Sequence, residues 1–172
     1  MQRVAVDLHR AMSEHPRVIL ATEAIYTSWT WTAARTTLFL PKLLASLPRR
    51  IRREQIDVVV FSSMVTASLA PLLCRTTAGR RAKYVAIAHG HDVTMAFPPY
   101  RRWRRRGVGA LDAVLPVSQA TAEACEGRGA DAGQIEVCPN GIRRDRFGSL
   151  PARAAARQQL LDAHGLPDDA FL

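Results

Sequence analysis

Apolar and polar positions along this chain follow two rhythms, and each change of rhythm marks an element. Val4, Leu8, Ala11 and Met12 recur at helical spacing, which predicts an amphipathic helix from the first residues to about Glu14, closed by Pro16. Residues 17–22 form a short β-branched run suited to a buried strand, followed by an irregular stretch holding Trp29 and Trp31. Helical spacing returns over 38–55, with Pro41 tolerable near a first turn and Pro48 predicting a kink. Further strands are predicted at 57–61, 83–88, 113–117 and 134–138. Helices are predicted over 64–74, 99–108 and 118–127, the last with Ser118 as its N-cap. Short strands alternating with helices imply βαβ units, so the expected fold class is α/β, a Rossmann-like doubly wound parallel sheet.

After Phe147 the pattern changes, and Ala154 to His164 read as one Ala-rich helix ending at Gly165. The expected division is a core domain over 1–148 and a linker with its helix over 149–172. The opening helix has no N-cap residue upstream of Met1, and residues 166–172 read as a turn and the start of a strand. Both ends therefore suggest an interrupted fold.

Composition narrows the class. A chain of 172 residues that is 48% hydrophobic and 23% charged has the make-up of a soluble globular domain. Its 24 Lys and Arg against 15 Asp and Glu give a net charge of +9, which favours a partner carrying phosphate or an anionic surface. Cys74, Cys125 and Cys138 are odd in number and lack CxxC spacing, which suits a reducing cytoplasm. There is no signal-peptide pattern. The uncharged run from Val58 to Cys74 carries too many Ser and Thr, with Pro71, to read as a spanning helix.

Four segments in one order carry a family resemblance: His89-Gly90-His91-Asp92 after a strand, Val117-Ser118 at a helix start, Pro139-Asn140-Gly141-Ile142 with Phe147 downstream, and Arg157-Gln158-Gln159-Leu160-Leu161 with Gly165-Leu166-Pro167. Together they resemble the N-terminal domain of family-4 retaining glycosyltransferases of the GT-B fold, over nearly the whole chain. The resemblance implies an acceptor-side domain whose first strand and C-terminal, donor-side domain lie outside this sequence. It implies hexosyl transfer from a nucleotide-sugar co-substrate to a glycan or lipid-linked acceptor, with no cofactor and no metal. Members begin with a strand and a Gly-Gly turn that lies against the donor phosphates. Their second domain carries the Arg and Lys that hold the diphosphate, and a pair of glutamates. Arg143 stands where the family pattern has Asp.

His89 is the candidate catalytic residue. By position it resembles the family's active-site histidine, which orients the donor sugar and stabilises developing charge; orientation and polarisation are therefore its expected work, rather than proton abstraction. A histidine simply hydrogen-bonded at a strand end is the plainer reading of the residue alone. Gly90 would let backbone approach a ligand, and Asp92 would either bond an acceptor hydroxyl or cap the next turn. Ser118 is an N-cap that could also face an anion or a polyhydroxyl group, and Asn140-Gly141 favours a turn with positive φ beside the cleft.

Basic runs complete the picture. Arg49, Arg50, Arg52 and Arg53 end one helix, while Arg101, Arg102, Arg104, Arg105 and Arg106 surround Trp103. An indole among guanidinium groups suits an anionic membrane surface, giving an expected cytoplasmic location with peripheral contact at the inner face; a solvated helical face is the simpler reading. No nucleic-acid-binding motif is present. A non-enzymatic basic α/β module that docks on a membrane or a partner protein is the competing class.

Overall fold

A stripe of leucines decides where the longest helix packs. The computed structural model describes residues 2–24, 31–95, 106–141, 148 and 151–170. Helix α1 spans Gln2–Ser13 and α2 spans Thr32–Glu54. On α2, Leu43, Leu47 and Ile51 fall one turn apart and are buried, with Phe39, Leu40 and Leu44 half-buried beside them. This helix starts earlier than its periodicity predicted. Pro41 is therefore interior, and the helix runs through both Pro41 and Pro48. It ends at Gln55, in the left-handed region at φ 50°, ψ 49°.

Three strands follow in parallel, in the order β1-β2-β3: β1 is Val58–Phe61, β2 is Lys83–Ala88 and β3 is Ala113–Pro116. The register pairs Phe61 with Ala86, Ala86 with Val114, and Ala88 with Pro116. Alternation along the strands puts Val59, Phe61, Tyr84, Ala86, Ala88 and Val114 on one face, against the α2 stripe, Met64, Ala67 and Leu73. The Phe61 and Tyr84 rings stack at 6.1 Å between centroids, and the Tyr84 hydroxyl donates to the Gly79 carbonyl at 2.9 Å. Burial, with smaller contributions from Cys74 and Asp112, pushes the Tyr84 phenol up to about 12.

The remaining connections are helical. Between β1 and β2 lie α3 (Met64–Ala67), α4 (Ala70–Leu73) and a 3-10 turn at Gly79–Arg81; α5 is His91–Thr94, residues 106–108 are helical, and α6 is Gln119–Glu126. Parallel strands joined through helices make this the expected α/β, Rossmann-like architecture. Several local expectations need correction. Residues 17–22 do not form a strand, because β-branched propensity without a neighbouring ladder does not hold one. The helix expected over 64–74 is broken in two around Ser68-Leu69, where the Ser68 hydroxyl donates back to the Val65 carbonyl at 2.6 Å and Pro71 opens the second piece. Residues 134–138 continue the sheet by single bonds: Val114 and Ile135 form an isolated parallel bridge, the Glu136 amide donates to the Val114 carbonyl at 3.0 Å, and the Cys138 amide to the Pro116 carbonyl at 2.8 Å. Most of the helix expected over 99–108, with Arg101, Arg102, Trp103, Arg104 and Arg105, lies outside the described residues, as do Ile142, Arg143 and Phe147.

The edge of the sheet away from the strand ends is tied by Asp112. Its carboxylate accepts the Tyr84 amide at 2.8 Å and Lys83 Nζ at 2.7 Å. Burial pushes its carboxyl up, but these bonds outweigh burial and hold it below the usual range. Contacts divide the chain into two compact units, 1–140 and 141–172. In the second, α7 (Arg153–His164) ends at Gly165, which is left-handed at φ 59°; the Leu166 amide returns to the Leu161 carbonyl at 2.9 Å, as in a Schellman motif. Among the described residues, no helix is long and apolar enough to cross a membrane.

The end of α2 makes a pH test of this packing. Arg50 donates to Glu54 through Nε and Nη2 and to Glu23 through Nη1 at 2.7 Å, and Arg53 donates to Glu54 at 2.7 Å. The hydrogen bond from Arg50, then that from Arg53, pulls the Glu54 carboxyl from 4.5 down to about 2. A carboxyl depressed on folding adds stability that is fully present above its unfolded pKa and lost as pH falls through the folded one. Thermal unfolding should therefore show wild type ahead of Glu54→Gln at pH 7, with the gap closing between pH 4.5 and pH 2. A gap that is constant with pH would contradict the pairing.

Candidate functional site

Every parallel strand of this sheet runs into its following turn at the same edge, where ligands of open α/β sheets bind. The turns are Ser62-Ser63 after β1, His89-Gly90 after β2 and Val117-Ser118 after β3; Pro139-Asn140 follows the extended segment beside β3. Two of them use one device. Ser63 (φ −162°, ψ 158°) and Ser118 (φ −160°, ψ 163°) are both extended N-caps, accepting the amides of Thr66 at 3.4 Å and Thr121 at 3.2 Å. Each hydroxyl also lies within hydrogen-bond distance of that threonine's Oγ1, at 3.3 Å and 3.0 Å.

His89 stands between these caps, at the end of the central strand. Its Nε2 is 3.1 Å from the Ser62 carbonyl oxygen, and its amide donates to Asp92 Oδ1 at 3.0 Å. The second oxygen of Asp92 accepts the Met64 amide at 2.9 Å. Asp92 is only 2% exposed, whereas His89 is half-buried. Asp92 thus ties the start of α3 to the backbone that leaves β2. His91 begins α5 on the exposed side, and α5 packs against both α3 and α6.

Gly90 has the backbone that this arrangement requires. At φ 88°, ψ −63° it lies where side-chain-bearing residues are strained, and a Cβ there would meet Thr121 Oγ1 at 3.3 Å. Its carbonyl accepts the Val93 amide at 3.0 Å and the Thr94 amide at 2.9 Å, turning the chain into α5. Asn140 and Gly141 are exposed, and neither takes the positive φ that their dipeptide favours. Gly141 starts the second unit and has open space around it. Of the basic cluster, Arg106 is described, and it is exposed.

Among the described residues, no group of three or more His, Cys, Asp or Glu side chains is placed to hold a metal ion. Sequence reasoning found His89, Gly90, Asp92 and Ser118 but passed over Ser62, Ser63, Met64 and Thr121. The repeated Ser-x-x-Thr after a strand was the available signal for Ser63 and for Thr121. Nothing local marks Ser62 or Met64, whose backbone groups act from 27 and 28 residues away.

A parallel α/β sheet with a histidine and two serine-capped turns at its strand ends defines a Rossmann-like domain. The family model for Glycosyltransferase Family 4 matches residues 2–146, and the chain belongs to that family. No curated protein gives a significant match.

The contrast between the two turn glycines can be measured. Gly90→Ala should lower stability by about 1–3 kcal/mol in urea unfolding, through backbone strain. Gly141→Ala should change it by less than about 0.5 kcal/mol. Equal effects would contradict the assigned backbone at Gly90.

Proposed function

We propose that this domain is the acceptor-side half of a retaining glycosyltransferase, moving a hexosyl group from a nucleotide-sugar to a glycan or lipid-linked acceptor. The observation that carries the reading is His89: in a chain of this family, a half-buried histidine, held by its backbone amide and by ring Nε2, sits at the end of the central strand. Retaining transfer passes through an oxocarbenium-like centre next to a departing diphosphate, so it gains most from fixed groups that orient the sugar and meet developing charge. His89 takes that part. Gly90 brings backbone close to the sugar, while Ser118 and Asn140 line the approach of the acceptor, with Gly141 next to Asn140 in the chain. Asp92 holds the frame.

On this reading the diphosphate is gripped by a second domain, and residues 149–172 are the joint leading to it. The purified 172-residue chain should then transfer no sugar from any of a panel of nucleotide-hexoses. Specific transfer by this chain alone would overturn the acceptor-side assignment. In an active two-domain enzyme containing this sequence, His89→Ala should lower kcat by about 100-fold, the scale of one lost charge-stabilising contact, with KM changed only a few-fold. An unchanged kcat would remove His89 from the reaction.

The acceptor's location enters through the basic cluster. Residues 101–106 would rest on anionic headgroups and bring the protein to lipid-linked substrates. Co-sedimentation with vesicles containing phosphatidylglycerol should fall when these arginines become serine, and should fall with added salt. Retention that is indifferent to both changes would exclude the contact.

A further inference from the structure

The turn after β2 fixes more than the place of His89; it fixes which ring nitrogen is free to act. A carbonyl oxygen can only accept, so the 3.1 Å contact between His89 Nε2 and the Ser62 carbonyl requires the proton to be on Nε2. Nδ1 then carries the lone pair of the neutral ring, and among the described residues it has no partner. The Ser62 carbonyl is itself held in place. Met64, two residues on, gives its amide to Asp92 Oδ2, and Asp92 Oδ1 receives the His89 amide. The result is a closed ring of three hydrogen bonds, in which one buried carboxylate sets both the backbone of the histidine and the acceptor that orders its imidazole.

We infer that Asp92 is a positioning residue that acts through this ring to hold His89 as the Nε2–H tautomer, presenting Nδ1 as a hydrogen-bond acceptor to the ligand edge. The neutral ring therefore receives a hydrogen bond from a substrate hydroxyl and does not give one. The charge-bearing oxygens of a departing diphosphate have no protons to offer, so they are poor partners for this face of the ring. Sugar hydroxyls fit it. The consequence for catalysis rests on the glycosyl-transfer reading above, whereas the tautomer itself does not.

The closing experiment is nitrogen-15 NMR of the imidazoles in the purified full chain, above the titration range of its histidines. The His89 signals are assigned by their loss in His89→Gln. Wild type should show Nε2 protonated and Nδ1 unprotonated, with the excess of that tautomer roughly five- to tenfold above the excess that a free histidine side chain already has, as one hydrogen bond provides. Asp92→Asn offers an amide group where two N–H donors need acceptors. If its backbone amide spectrum stays that of the folded chain, the His89 tautomer excess should fall severalfold. Three results would overturn the inference: a protonated Nδ1 in wild type, an even mixture there, or an unchanged excess in folded Asp92→Asn. The wild-type measurement stands even if the variant does not fold. Should the tautomer appear as stated while His89→Ala leaves transfer by the two-domain enzyme intact, the tautomer inference is supported and the proposed role of His89 in the reaction fails.

Discussion

Two amide groups from neighbouring strand-to-helix turns share one buried carboxylate, and the shape of the strand-end edge depends on that sharing. A carboxylate as buried as Asp92 is costly to remove from water, by several kcal/mol, unless its oxygens are matched by donors. The donors include the His89 and Met64 amides, each bond to a charged acceptor being worth about 1.5–3 kcal/mol. The arrangement links elements that are distant in sequence. It fastens the start of α3 to the end of β2, so the turns that follow β1 and β2 keep a fixed relation, and the His89 imidazole inherits it.

The sheet supplies the platform. Its parallel register brings three strands into turns at one edge, while the Tyr84–Phe61 stack and the leucine stripe of α2 cover the face that orients β1 and β2. Asp112 does at the opposite edge what Asp92 does at this one, accepting an amide from β2 next to its own strand. Each end of β2 is thus tied by an acidic side chain to a neighbouring segment. Rigidity at both ends of the central strand is what a positioned imidazole requires, since misplacement by a fraction of an ångström erodes the contribution of any pre-set polar group.

Much of this was legible in the chain. Alternating short β-branched runs and helical stripes specified the α/β class and placed β2 and the strand-end histidine, because burial on both sides of a parallel sheet leaves a strong pattern. Ser118 was readable as an N-cap because capping is local. The same locality misled at residues 17–22, where strand propensity has no ladder to join, and at 64–74, where a serine hydroxyl and a proline break a helix that apolar spacing alone would continue. What could not be read was the long-range pairing. The Met64 amide and the Ser62 carbonyl are backbone groups, indistinguishable in sequence from any others, and only the register of β1 against β2 brings them to Asp92 and His89. Family membership adds the chemistry that the fold by itself leaves open.

The central claim is that this edge, centred on His89, is where the domain meets its sugar substrates. Amide chemical-shift mapping of the folded chain against a panel of oligosaccharides and nucleotide-sugars tests it most directly. The account predicts saturable shifts gathered at residues 62–63, 89–91 and 117–118, with Lys83, Tyr84 and Asp112 at the opposite edge silent. Shifts gathered at that opposite edge, or along the basic end of α2 at residues 49–53, would contradict it.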